Sequence, residues 1–262
     1  GGQVRLTVFF VRSVSTVQAI YDGKQANVAG FYTTSPTGAL AVVPRTTSSM
    51  MDGDIILFHE YAHHVMMQYF TFPYPAWYVE GFAEFLSTTQ FDKTGKPKLG
   101  LPAKHRAYGL FLGKDIPIRR LLTASVSDLS RAEVDPFYGR AWLATHYLSF
   151  SPERVGQLNT YLKSVGSGIA PQEAAQTVFG DLDRLDKDLD KYLNASRISY
   201  LQLAHPIPVA GNGVTITALS EAEGKAMPVR IAMMRGTQRE KAEAQAETMR
   251  KIAASAPKDL AV

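Results

Sequence analysis

The sequence predicts an α+β fold: a small N-terminal β-sheet beside a long helix, followed by a mainly helical lobe. Three observations predict it. The first 45 residues hold short runs of β-branched and aromatic side chains separated by turn signals. Residues 49–70 then form one long helical pattern carrying two histidines four residues apart. From there to about residue 200 the pattern stays mostly helical, with Pro136, Pro152 and Pro171 at helix starts. The chain has 262 residues, 45% hydrophobic and 20% charged. That is ample for a packed core, and it excludes intrinsic disorder as the main architecture.

Each element has its own reason. Residues 4–11, rich in valine and phenylalanine, read as a buried strand. Residues 28–43 read as two short strands around the turn Ser35-Pro36-Thr37-Gly38, a hairpin signal. Ser49 offers a helix N-cap with Asp52 three residues on, a variant of the capping box. One helix then runs to Phe70. Its interior carries Ile55, Ile56, Phe58, Val65, Met66 and Met67, and Pro73 and Pro75 stop it. A second helix spans about Ala76 to Thr88, with the turn Asp92-Lys93-Thr94-Gly95 after it. Pro136 precedes a helix of about Phe137–Phe150, and Ser151-Pro152-Glu153 starts another. Pro171 opens a short helix ended by Gly180. Leu182, Leu185, Leu189 and Leu193 make residues 181–193 amphipathic. Residues 205–219 read as a loop and a strand, Val214 to Thr217, and Ser220 opens a helical hairpin broken at Gly236 and capped again at Thr237. The expected division is a domain of residues 1–204, β-rich over 1–45 and mainly helical over 46–204, and a C-terminal piece of residues 205–262.

Composition removes several classes of function. There are no cysteines, so disulfide scaffolds, iron–sulfur clusters, cysteine nucleophiles and Cys-ligated zinc are excluded. Any metal site must use His, Asp and Glu. The net charge is +4, with no block of like charges and no basic stripe interleaved with aromatics, so no nucleic-acid partner is expected. No apolar run reaches the ~18 residues that span a bilayer. There is no Gly-x-Ser-x-Gly elbow, phosphate loop or dinucleotide fingerprint.

The chemistry lies in Phe58-His59-Glu60-Tyr61-Ala62-His63-His64. Four residues advance a helix by about 6 Å and slightly more than one turn, so His59 and His63 share a face and can bind one metal ion from one side. Glu60, next to His59 around the helix, is placed to act as a base on a metal-activated water without being a ligand. His64 points about 100° away from His63. The next helix, Trp77-Tyr78-Val79-Glu80-Gly81-Phe82-Ala83-Glu84, sets Glu80 and Glu84 on one face. Sixteen residues lie between His63 and Glu80, enough for a helix end, a Pro-rich turn and a return helix. Glu80 is then the third ligand, and Glu84 the carboxylate that accepts the other ring N–H of His59. His105 and His205 fall in loop-like contexts without partners. Trp77 is expected at the base of the site, and Trp142 as an anchor of the later helix.

His-Glu-x-x-His followed by Trp-x-x-Glu-Gly-x-Ala-Glu resembles the gluzincin clan of zinc metallopeptidases, which includes thermolysin and the aminopeptidase N family. The resemblance covers about residues 55–90 and fits best with uncharacterised bacterial members. It implies a gluzincin-like fold, with zinc bound by His59, His63 and Glu80, Glu60 as general base and Glu84 supporting His59. The aminopeptidase branch usually has 18 residues where this chain has 16, and carries a Gly-x-Met-Glu-Asn motif that holds the substrate's free amine. Here the strand reads Gly30-Phe31-Tyr32-Thr33-Thr34, without an acid, which favours an endopeptidase. By the same resemblance a tyrosine past the third ligand stabilises the oxyanion. Tyr138 is the candidate and His146 the alternative. The C-terminal helix pair resembles a single tetratricopeptide unit and is a candidate contact for a protein partner.

The expectation is zinc-dependent hydrolysis of a peptide or protein substrate, in an extracytoplasmic compartment such as the periplasm or cell envelope. The alternative is a non-catalytic module of the same fold that serves as a scaffold. A structural zinc site fits less well, because such sites close with four protein ligands and three are apparent.

Overall fold

The computed structural model describes residues 4–21, 28–35, 38–46, 52–69, 73–207, 217–237 and 239–259. The chain is mixed α+β. It divides into two compact units, one made of residues 1–48 and 208–262, the other of residues 49–207. The N-terminal strands therefore group with the C-terminal helices, whereas the sequence assigns them to the same domain as the helical lobe.

In the first unit, β1 (Leu6–Ser13) runs into α1 (Val14–Tyr21), and β2 (Phe31–Ser35) and β3 (Gly38–Thr46) follow. β3 is the central strand. β1 pairs with it in parallel and β2 antiparallel, with Leu6 opposite Ala39 and Phe31 opposite Val42. Ala39 to Val43 are buried without a break. β1 is an edge strand instead of the expected buried one, and its Phe10 is 52% exposed. Apolar composition marks a strand but not its place in the sheet. The expected hairpin pairs from Phe31 opposite Val42 to Ser35 opposite Gly38; its turn residues 36 and 37 lie outside the described residues.

The second unit opens with α2 (Gly53–Tyr69) and α3 (Ala76–Ser87). Asp52 precedes α2, and its carbonyl accepts from Ile55 N and Ile56 N. Ser49 and Phe70 lie outside the described residues. Met66 is buried, but Met67 is 64% exposed and does not belong to the interior. β4 (Gln90–Phe91) and β5 (Pro97–Leu99) form a hairpin whose turn is held by Asp92 Oδ1, which accepts from Thr94 N at 2.8 Å and Lys96 N at 3.0 Å. A 3₁₀ turn (Lys104–Arg106) leads into α4 (Ala107–Phe111), and α5 (Ile118–Thr123) and α6 (Arg131–Phe150) follow.

α6 starts six residues before the expected Phe137. The Glu133 carboxylate accepts from Ser130 N at 3.0 Å and Ser130 Oγ at 2.7 Å, which caps the helix. Pro136 sits inside the helix, where the capped first turn and the buried face that follows outweigh its missing N–H. A 3₁₀ turn (Pro152–Arg154), α7 (Gln157–Gly166), α8 (Pro171–Phe179) and α9 (Leu182–Leu193) follow, and β6 (Leu201–Gln202) pairs with β5. Asp181 caps α9 by accepting from Asp183 N and Arg184 N. The core gathers Phe137, Trp142 and Leu143 of α6 with Trp77, Leu121, Tyr161, Leu185 and Leu189.

Two glycines set how closely helices approach α6. A Cβ on Gly81 of α3 would overlap the Ala141 carbonyl and Thr145 Oγ1. A Cβ on Gly109 of α4 would stand 2.6 Å from the Asp135 carboxylate.

α10 (Glu221–Arg235) and α11 (Arg239–Ser255) complete the first unit. Ser220 Oγ accepts from Glu223 N, and Glu223 accepts from Ser220 N, a reciprocal cap. Ile231, with Met227 and Met234 beside it, joins Val17, Ile20, Phe31, Leu40 and Val42 in one apolar cluster. This is why the C-terminal hairpin belongs with the N-terminal sheet: α1 and α10 together cover its apolar face. α11 buries none of its residues. Residues 214–216 of the expected strand lie outside the described residues. Among the described residues no helix is long and apolar enough to cross a membrane.

Candidate metal centre

α2 and α3 bring together the three residues that the sequence names as ligands. His59 and His63, one turn apart, face each other with their Nε2 atoms 3.1 Å apart. Glu80 Oε2 stands 3.3 Å from His59 Nε2 and 3.6 Å from His63 Nε2. This oxygen is buried and has no hydrogen-bond partner. A buried carboxylate oxygen left without a donor is costly unless a cation meets it. His59, His63 and Glu80 form a group whose donor atoms can hold one metal ion. Glu60, beside His59 on α2, is buried, and its charge acts on both His59 and Tyr138.

Glu84 lies one turn beyond Glu80 on α3. Its Oε1 is 3.1 Å from His59 Nδ1, on the side of the ring away from the ligand atom. Two residues that sequence reasoning missed complete its shell. Arg106 Nη2 donates to Glu84 Oε1 at 2.6 Å, and His105 Nε2 lies 2.7 Å from Glu84 Oε2. His105 therefore has a partner, contrary to the sequence reading. Both residues come from the 3₁₀ turn before α4, which carries no periodicity to mark a site. The basic run Lys104-His105-Arg106 was the only signal.

Arg106 also reaches α6. Nη1 donates to Asp135 Oδ1 at 2.9 Å, and the guanidinium stands 4.9 Å from the centre of the Tyr138 ring. The Tyr138 ring is in turn 6.1 Å from the His59 ring, so Tyr138 borders the site. His146, the alternative, does not. It is fully buried in the core, where Nε2–H donates to the Gly100 carbonyl at 2.8 Å and Tyr192 OH donates to Nδ1 at 2.9 Å. His64 bonds to Gln68 at 2.7 Å. Trp77 lies in the core, donating to Tyr161 OH at 3.1 Å.

The electrostatics follow from these contacts. Burial pulls His59 down, but the carboxylates of Glu80 and Glu84 outweigh it and raise its pKa to about 10. Burial and the charge on His59 push His63 down to about 4, so His63 is held neutral. Burial raises Glu84, yet Arg106, His105 and His59 together hold it well below the usual carboxylate range. Burial first, then the Glu80 charge, pushes Tyr138 well above its ordinary value. Tyr138 thus remains a proton-bearing hydrogen-bond donor at neutral pH.

Comparison with protein-family models, curated proteins and solved structures finds no match to this chain.

Proposed function

We propose that this protein is a zinc-dependent peptidase of gluzincin type that cleaves internal peptide bonds. One observation carries the reading: the spacing of the His59, His63 and Glu80 donor atoms. Ligands at 2.0–2.2 Å from a tetrahedral zinc stand about 3.3–3.5 Å from one another. The three separations here are 3.1, 3.3 and 3.6 Å. Two imidazoles and one carboxylate are also the donor chemistry of catalytic zinc. The undonated Glu80 Oε2 and the Glu84 contact behind His59 add to it.

When bound, zinc supplies Lewis acidity that acidifies a water molecule and polarises the substrate carbonyl. Glu60 takes the proton from the attacking water as the water oxygen adds to the carbonyl carbon. Tyr138 donates its hydroxyl hydrogen bond to the carbonyl oxygen as negative charge develops there. Glu60 then returns the proton to the amide nitrogen as the C–N bond breaks. Glu84 keeps the His59 proton on Nδ1 and leaves Nε2 for the ligand role.

Glu60→Gln tests the assignment of the base. It should retain zinc at the wild-type stoichiometry and lose hydrolysis by about 10²–10⁴-fold, the usual contribution of a general base. Normal hydrolysis of a peptide library by this variant would remove Glu60 from the role.

A further inference from the structure

We infer that Arg106 is a positioning residue that fixes both the ligand histidine and the oxyanion donor of this site, an inference that rests on the function proposed above. Its guanidinium meets three groups at once. Nη2 donates to Glu84 Oε1 at 2.6 Å, the oxygen that also faces His59 Nδ1 at 3.1 Å. Nη1 donates to Asp135 Oδ1 at 2.9 Å. The ring of Tyr138 lies against the guanidinium at 4.9 Å. Asp135 and Tyr138 are three residues apart on α6, so they share one side of the helix. One planar fork therefore ties a turn of α6 to the carboxylate of α3.

The contacts leave Glu84 little freedom. His105 holds its Oε2 at 2.7 Å while Arg106 holds Oε1. With both oxygens engaged the carboxylate cannot rotate, and Oε1 stays aimed at His59 Nδ1. The same guanidinium sets the plane of the Tyr138 ring, whose centre is 6.1 Å from the His59 ring. The close α4–α6 crossing at Gly109 holds Asp135 against the segment that carries Arg106. Ligand orientation and oxyanion donor are thus set by one side chain that touches neither substrate nor metal.

A lysine at this position could pair with Glu84 but could not also bond Asp135 and stack on Tyr138. Arg106→Ala and Arg106→Lys therefore separate the two roles. The readouts are zinc affinity by chelator competition, kcat and KM at saturating zinc, and the His59 Nδ1 proton by ¹⁵N-resolved NMR of metal-free protein. Arg106→Ala should bind zinc about 10–100-fold more weakly, the usual cost of losing a group that orients a ligand. Its His59 Nδ1 proton should exchange faster than in the wild type. Arg106→Lys should restore zinc affinity to nearly the wild-type value, yet leave kcat about tenfold or more lower with KM little changed.

Wild-type zinc affinity in folded Arg106→Ala, or wild-type kcat in Arg106→Lys, would overturn the inference. If Arg106→Ala does not fold, Asp135→Ala tests the α6 half: it keeps the Glu84 contact and should lower kcat without weakening zinc binding, and a wild-type kcat would overturn that half. A wild-type protein that binds zinc but cleaves no peptide would overturn the proposed activity alone, and the zinc and NMR comparisons would still decide on Arg106. A wild-type protein that takes up no zinc would overturn the metal centre. Equal exchange of the His59 Nδ1 proton in wild type and Arg106→Lys, with that proton lost in neither, would then support the Glu84 half; its loss in Arg106→Lys would overturn it.

Discussion

Glu84 Oε1 lies 3.1 Å from His59 Nδ1, while Glu80 Oε2 faces Nε2 of the same ring at 3.3 Å. Two carboxylates one helical turn apart thus address opposite nitrogens of one imidazole. The ring is held from both sides before any ligand arrives. Glu84→Gln keeps the volume and removes the charge. It should weaken zinc binding by about 10–100-fold, measured by competition with a chromophoric chelator. Unchanged affinity would mean that Glu84 does not orient His59.

Tyr138 is proposed as the oxyanion donor because it borders His59 and keeps its proton at neutral pH. Tyr138→Phe removes the hydroxyl and leaves the ring against Arg106. Its kcat should fall by about 10²–10³-fold, the range for losing one oxyanion donor, with zinc content unchanged. A kcat equal to that of the wild type would return the oxyanion role to another group.

Gly81 tests the packing that supports the site. Alanine is intrinsically better than glycine in a helix by about 1 kcal/mol, so a site with room would be stabilised. Here the added carbon would overlap a backbone carbonyl of α6, which cannot swing aside. Gly81→Ala should therefore lower the unfolding free energy by about 1–3 kcal/mol, as overpacking does. Denaturant unfolding decides the sign, and a more stable variant would contradict the close α3–α6 crossing.

His146 gives a pH dependence whose sign is fixed by burial. Its pKa is lowered, first by burial, while its bonds to backbone carbonyls oppose the shift. Unfolded, it takes up its proton near pH ~6.5. Between that value and the lower folded value the unfolded chain holds more protons, so stability rises with pH. Its stabilisation is complete above the unfolded value and drains away as pH falls toward the folded one. Unfolding at pH 7.5 and pH 5.5 should show a smaller loss in His146→Gln than in the wild type, the difference being at most about 1.4 kcal/mol per pH unit. Equal losses would show that His146 does not titrate on unfolding.

The core of the site was legible because helical spacing is a local rule. His59 and His63, and then Glu80 and Glu84, sit at four-residue intervals, and the prolines at 73 and 75 mark the return between them. Arg106 and His105 were not legible. They reach Glu84 across more than twenty residues from a turn with no repeating pattern. The start of α6 was hidden by Pro136, which reads as a boundary although the Ser130–Glu133 cap lies before it. The N-terminal strands, their hairpin and the C-terminal helices were readable one by one. That β3 is central, and that Ile231 covers the N-terminal sheet, are long-range contacts with no local signature.

The most direct measurement is zinc per chain, by elemental analysis of tag-free protein never exposed to chelator or metal resin, beside His63→Ala prepared in the same way. The expected result is close to one zinc per wild-type chain and a clear loss in the variant. Little or no zinc in the wild type, persisting after zinc is offered at neutral pH, would contradict the metal centre and the hydrolytic function built on it.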